Sequence, residues 1–230
     1  MNIEISEFVE GARRARGVAV IIDVFRAFSV ECYAYDMGAT RIIATGSAEE
    51  AFRLKKKYRN SVLAGERDEK KMDDFDLGNS PTEIIKTDLQ RKTLIHTTTA
   101  GTMGLLNAKN ADIVLTGSIV NAGAIIKYIR TINPANVSLV AMGYRALFSA
   151  EEDLLCAEII SDGLDGKNID YIKSMSDLKY TSGKRFFNPD NIDFSPPSDF
   201  FLCSAMNKFN FVLKAIFRKD GNVELKKLLI

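Results

Sequence analysis

Gly17-Val18-Ala19-Val20-Ile21-Ile22-Asp23 is an unbroken apolar run, largely β-branched, that ends in a carboxylate. A strand exposed on one face alternates apolar and polar residues. A run without alternation fits a strand covered on both faces, as in a parallel sheet. Five further runs share this character: Arg41-Ile42-Ile43-Ala44, Ser61-Val62-Leu63-Ala64, Thr93-Leu94-Ile95-His96-Thr97, Asp112-Ile113-Val114-Leu115-Thr116 and Val137-Ser138-Leu139-Val140-Ala141. Helical patterns separate them, over about 28–38, from the Ser47 cap to Lys57, over 81–89, 101–110 and 120–130, with a last one over 150–164. The Ser47 helix has Glu49 and Glu50 in its first turn and Lys55-Lys56-Lys57 in its last, matching the helix dipole at both ends. Repeated strand–helix alternation predicts an α/β fold, a three-layer α/β/α arrangement on a mostly parallel sheet.

The pattern changes after Gly166. One more helix is expected over 169–179, and 185–197 is irregular with Pro189, Pro196 and Pro197. Phe209, Phe211 and Leu213 read as a strand, Lys219-Asp220-Gly221-Asn222 as a turn, and 223–228 as a returning strand. The expectation is one α/β domain over 1–230, with a core over about 17–165 and an irregular extension over 166–230 that adds strands.

Charge is balanced, with 31 Lys and Arg against 30 Asp and Glu, so no global field favours nucleic acid or an anionic membrane. No apolar segment reaches the length of a membrane span or a signal-peptide core. Three cysteines make no disulfide framework, which points to a reducing cytoplasm. Self-association into a homo-oligomer is left open.

The chemistry concentrates after the strands. Gly65-Glu66-Arg67-Asp68 opens a long charged loop that ends at Gly78-Asn79-Ser80-Pro81, where Ser80 caps a helix begun by Pro81. Loops of that length in compact domains tend to be functional or disordered. Asp23 and Arg26 follow the first run, Thr97-Thr98-Thr99-Ala100-Gly101-Thr102 the fourth, Gly117-Ser118 the fifth, and the 143–149 segment the sixth. In an open parallel sheet these points share one edge, where ligands bind. Arg26 and Arg67 suit phosphate, sulfonate or carboxylate. Glu151-Glu152-Asp153 opens a helix; Ser149 with Glu152 forms a capping box, which leaves Asp153 without a capping task.

Several mechanisms are excluded. One histidine, His96, does not support a phosphohistidine enzyme or a His-rich two-metal site. No G-x-S-x-G elbow, Walker loop or dinucleotide fingerprint is present. Cys32, Cys156 and Cys203 lie in apolar helical patterns and read as structural. The surviving chemistry is a carboxylate pair with Mg²⁺ acting on a phosphorylated anion.

Six stretches together resemble the 2-phosphosulfolactate phosphatase family: Val20-Ile21-Ile22-Asp23-Val24-Phe25-Arg26-Ala27-Phe28-Ser29, Ala64-Gly65-Glu66-Arg67, Gly78-Asn79-Ser80-Pro81, Thr97-Thr98-Thr99-Ala100-Gly101-Thr102, Gly117-Ser118-Ile119-Val120-Asn121-Ala122 and Ser149-Ala150-Glu151-Glu152-Asp153. The resemblance spans about residues 17–165. It implies an α/β, Mg²⁺-dependent hydrolase that releases phosphate from 2-phospho-3-sulfolactate, a step towards coenzyme M. Under it, Asp23 and Asp153 are expected to hold Mg²⁺, and Asp23, Glu66 and Glu152 are the candidate catalytic carboxylates. Substrate contacts are expected from Arg26, Arg67, Asn79, Ser80, Thr98, Thr99, Gly101, Thr102, Ser118 and Arg145. Attack by water and attack by Asp23 itself both stay open. The alternatives are a phosphatase for another small phosphorylated hydroxy acid and a non-catalytic anion-binding module.

Overall fold

The computed structural model describes residues 1–230. Its strands are β1 (Asn2–Glu7), β2 (Val18–Ile22), β3 (Arg41–Ala44), β4 (Ser61–Arg67), β5 (Lys70–Lys71), β6 (Thr93–Thr97), β7 (Ile113–Gly117), β8 (Asn136–Ala141), β9 (Phe211–Phe217) and β10 (Val223–Leu229). Its α-helices are α1 (Phe8–Arg14), α2 (Ala27–Asp36), α3 (Ala48–Lys57), α4 (Pro81–Ile84), α5 (Gly101–Asn107), α6 (Ala122–Ile132), α7 (Glu151–Leu164), α8 (Ile172–Asp177) and α9 (Pro197–Cys203), with short 3₁₀ turns between Leu178 and Asn191.

All ten strands form one sheet in the order β1-β8-β2-β7-β9-β10-β3-β6-β4-β5. Parallel ladders join β1, β8, β2 and β7 on one side and β3, β6 and β4 on the other. The mostly parallel α/β/α expectation therefore holds, and the C-terminal strands do join the sheet. They join it in the middle. The β9–β10 hairpin lies between β7 and β3, and all three of its ladders are antiparallel. Three successive antiparallel steps reverse direction, so β3, β6 and β4 run opposite to β2, β7 and β8. The expectation that the strand ends share one edge of an open parallel sheet is thereby corrected.

What brings those ends together is α2. Every residue from Ala27 to Ala34 is buried. Phe28, Val30 and Tyr33 belong to one apolar cluster that also takes Ile21 of β2, Val140 of β8, Leu213 of β9, Leu225 of β10, Ile42 of β3, Leu94 of β6 and Ala64 of β4. One sheet face thus wraps a helix that is buried all round and largely apolar, with Ser29 and Glu31 as its buried polar exceptions. The opposite face is covered in two parts. Val20, Ile22 and Leu139 pack under Ile125 of α6 and Cys156 and Ile160 of α7. Ile43, Leu63 and Ile95 pack under Ala51 and Leu54 of α3. No helix is long and apolar enough to cross a membrane.

Three elements outside the long loop went unread in the sequence: β1, α1 and α9. β1 is an edge strand parallel to β8, and Asn2-Ile3-Glu4-Ile5-Ser6 carries the polar–apolar alternation of a strand, in a segment otherwise read only as amphipathic and charged. α9 sits in the proline-rich stretch, with Pro197 at its first position, where a fixed φ suits a helix start. The long loop after β4 is also more ordered than expected. β4 continues to Arg67 and turns back into β5 through Asp68 and Glu69, both left-handed at φ 52° and 71°. Such turns normally use Asn-Gly.

Candidate active site

The carboxylate that organises the site is Asp153, in the first turn of α7. Its Oδ1 accepts from the Val24 N–H and its Oδ2 from the Gly143 N–H, each at 2.8 Å. It thereby ties the chain after β2 to the chain after β8. Gly143 has φ 67°, and a Cβ there would lie 2.3 Å from the Phe148 carbonyl oxygen, so only glycine allows this crossing. Asp23 stands beside it. Its Oδ1 accepts from the Ala27 N–H at 3.1 Å, at the start of α2, and Oδ2 has no partner in the chain. Glu152 Oε2 is buried and also without a partner.

Glu66 serves the opposite wall. Its Oε1 accepts from the Thr99 N–H at 2.7 Å, and its Oε2 from the Glu69 N–H at 2.9 Å and the Thr99 hydroxyl at 3.2 Å. It pins the β4–β5 hairpin to the threonine turn. Burial pushes the Asp23 carboxyl up to about 6; the Ala27 N–H opposes that rise, and Glu66 and Glu152 add to it. Burial likewise raises Glu152. Asp153 is raised further, by burial and then by Glu152 and Asp23. Asp23, Glu152 and Asp153 are three crowded carboxylates that resist ionising together, a repulsion that a cation would relieve.

Three arginines face them. Arg26 is buried; it donates to Asp199 Oδ2 at 2.8 Å and to the carbonyls of Phe194 and Glu69. Arg185, in a 3₁₀ turn of the extension, pairs with Glu69 and donates to the Phe25 carbonyl at 2.7 Å. Burial pulls its guanidinium pKa down, but Glu69, Glu152 and Asp23 outweigh that and raise it. Arg145 sits at the mouth on a second tight turn, at φ 56° with Ala146 also at 56°, and pairs with Asp68 at 2.7 Å.

The cleft thus brings together Asp23, Arg26, Glu66, Asn79, Thr99, Arg145, Glu152 and Asp153 of the expected residues. Six others lie behind it. Thr98 and Thr102 bond each other reciprocally at the start of α5. The Ser118 hydroxyl meets that of Ser29 at 2.7 Å, wholly buried, and joins β7 to α2. Ser80 donates to Asp199 Oδ1.

Gly101 supplies space, since a Cβ there would lie 2.7 Å from Asp23 Oδ2 and 2.9 Å from the Ala27 Cβ. Gly101→Ala is therefore expected to cost about 1–3 kcal/mol by overpacking and to disturb Asp23. Urea unfolding checks the first effect, and turnover the second.

Arg67 turns away from the cleft, to Thr97 Oγ1 at 3.0 Å, the Gly46 carbonyl at 3.2 Å and its neighbour's carbonyl. Arg67→Ala is accordingly expected to lower stability by about 1–2 kcal/mol for the lost bonds while KM stays within about twofold. A large rise in KM would restore Arg67 as a substrate contact.

Arg185, Glu69, Tyr144, Phe25 and Gly143 also line the cleft; the sequence put the charged loop, Phe25 and the 143–149 segment near it without giving these residues a role, and it missed Arg185 altogether. Arg185 gave no signal, because the stretch around it has neither strand nor helix period. Asp199, which holds Arg26, lies equally far from any motif.

Comparison with known proteins shows the family. The family model described as 2-phosphosulpholactate phosphatase matches residues 4–191. A probable 2-phosphosulfolactate phosphatase of Carboxydothermus hydrogenoformans is 38% identical over 79% of this chain and 74% of its own length. One from Clostridium beijerinckii is 37% identical over 73% of this chain and 71% of its own. That of Bacillus subtilis is 31% identical over 90% of this chain and 89% of its own. By its sequence over nearly its whole length, the chain belongs to the 2-phosphosulpholactate phosphatase family.

Proposed function

We propose that this protein hydrolyses the phosphate ester of 2-phospho-3-sulfolactate to 3-sulfolactate and phosphate, with Mg²⁺, in a reducing cytoplasm and towards coenzyme M. The family membership supports the reaction class. The observation that carries the reading is the cleft itself, where Glu152 Oε2, buried without a partner, and Asp23 Oδ2, which takes no hydrogen bond within the chain, face Arg26 and Arg185. A substrate bearing phosphate, carboxylate and sulfonate needs several cationic and N–H donors. Arg26, Arg185, Arg145, Thr99 and Asn79 are placed to supply them. The cleft is lined mainly by polar and charged residues, as such a substrate requires.

The donor set fits Mg²⁺. Its oxygens are hard, Asp23 Oδ2 is uncommitted, and Asp153 keeps further lone pairs beside its two N–H bonds. No three ligating side chains form a cage; Mg²⁺ is commonly held by one or two carboxylates with substrate phosphate and water. When bound, the ion neutralises charge on the phosphoryl oxygens as a Lewis acid. Asp23 and Asp153 are the carboxylates assigned to it. Glu152, whose proton affinity burial raises, is suited to take a proton from attacking water. Glu66 keeps Thr99 and the β4–β5 turn in register around the phosphate.

Phosphate release from a panel of 2-phospho acids, with and without the sulfonate and with Mg²⁺ or a chelator, tests the proposal. Hydrolysis restricted to the sulfonate ester and abolished by chelation is expected. Preference for a carboxylate-only ester would replace the substrate with another phosphorylated hydroxy acid.

A further inference from the structure

The chain's only histidine is wholly buried on β6. His96 Nδ1 lies 3.1 Å from Glu31 Oε1 on α2, and Nε2 lies 3.2 Å from Asn79 Oδ1. Glu31 is wholly buried too, and its Oε2 has no partner. Asn79 lines the cleft, and its Nδ2 makes no hydrogen bond within the chain. A polar line therefore runs from the helix at the centre of the fold to the wall of the site, through an otherwise apolar interior. The hydrolysis derived above uses neither Glu31 nor His96. Two wholly buried titratable groups are costly to keep unless they do something an apolar pair would not.

A carboxamide has a donor end and an acceptor end, and its surroundings decide which faces where. Asn79 has one protein partner, His96 Nε2. If Nε2 carries a proton, it donates to Oδ1 and the NH₂ group faces the cleft. If Nε2 is bare, the amide turns over and presents its carbonyl. Glu31 decides between these states. A protonated Glu31 donates to Nδ1 and leaves the hydrogen on Nε2. An ionised Glu31 beside an imidazolium leaves it there as well. A neutral imidazole beside an ionised Glu31 would instead hold its hydrogen on Nδ1 and leave Nε2 bare; burial, which raises the Glu31 pKa, opposes that arrangement, and the other two give the same result at Asn79. An anionic ester is attracted by the NH₂ end and repelled by the carbonyl end.

We propose that Glu31 and His96 are positioning residues that lock the Asn79 carboxamide with its NH₂ group toward the cleft, making Asn79 a fixed hydrogen-bond donor to the anionic substrate. The inference deepens the functional reading above and rests on the cleft being an anion site.

The test has two arms. Long-range ¹H–¹⁵N spectra of the imidazole need no assignment, because only one histidine contributes. A protonated Nε2 at neutral pH is expected; a bare Nε2 overturns the proposal, whatever the enzyme turns over. The second arm measures inorganic phosphate affinity by calorimetry. His96→Leu removes the donor and is expected to weaken phosphate binding by about 10-fold or more. His96→Gln retains an N–H in reach of Asn79 and should recover binding to within about threefold. Glu31→Gln, whose amide donates to Nδ1, should stay near wild type.

Equal affinity in His96→Leu and wild type overturns the proposal. Should His96→Leu fail to fold, Asn79→Asp, which puts a carboxylate where the donor stood, takes its place with the same expected loss. Phosphate binding without ester hydrolysis would sink the hydrolase reading and leave this inference standing. Hydrolysis with unchanged phosphate affinity in the variants would do the reverse.

Discussion

Asp23→Asn is expected to lower turnover by about 10³-fold or more while making the metal-free protein more stable at pH 8. The loss of rate follows from removing a charge that the proposed metal site depends on, which is a matter of several kcal/mol in the transition state. The gain in stability follows from the same charge. The folded protein holds the Asp23 proton up to about pH 6, whereas the ordinary carboxylate value is 3.8. The group's contribution to stability is thus fully present below 3.8 and lost as pH rises through about 6.

Asparagine keeps the Oδ1 acceptor for the Ala27 N–H and never ionises, so it escapes that loss. The melting temperature of the variant should exceed that of wild type at pH 8 and match it near pH 4. Mg²⁺ should raise the melting temperature of the wild type at pH 8 and leave the variant unmoved. A variant that turns over at near the wild-type rate would remove Asp23 from the chemistry. One that is inactive but destabilised at pH 8 would mark Asp23 as a structural residue.

Much of this site was legible because its chemistry follows the strands. Asp23, Arg26, Glu66, Thr99, Glu152 and Asp153 stand directly after apolar runs or in the first turn of a helix, where short-range pattern places a residue well. What was illegible is long-range. The β9–β10 hairpin was readable as two strands, but nothing local says that a C-terminal hairpin enters the middle of the sheet and reverses half of it. Thr98, Thr102 and Ser118 carry the hydroxyls an anion site would want. Only the fold shows that those hydroxyls serve each other and Ser29. Arg185 arrives from an aperiodic stretch on the strength of one half-buried ion pair and a carbonyl. Identity of residue type was visible, and the direction of the side chain was not.

Asp199→Ala, behind the cleft wall, should cost about 3–5 kcal/mol in urea unfolding. Asp199 and Arg26 have side-chain exposures of 0% and 3%, so removing the carboxylate leaves a guanidinium buried without its counter-charge. Asp199 also accepts from the Ser80 hydroxyl at 2.8 Å and the Thr82 N–H at 2.9 Å, which fixes α4 against α9. Both of those donors would be stranded as well. Breaking one side of such a pair costs far more than replacing both sides, because the paired charges already carry their desolvation.

The double variant Arg26→Met/Asp199→Leu should therefore recover most of the lost stability. It should not recover function. Of the five N–H donors of Arg26, three are used inside the chain, which leaves two unpartnered in a residue that lines the cleft. Phosphate affinity in the stable double variant should fall at least 10-fold, the value of one charge-assisted hydrogen bond. Retained affinity there would make Arg26 a purely structural partner of Asp199 and leave Arg185 as the principal cation of the site.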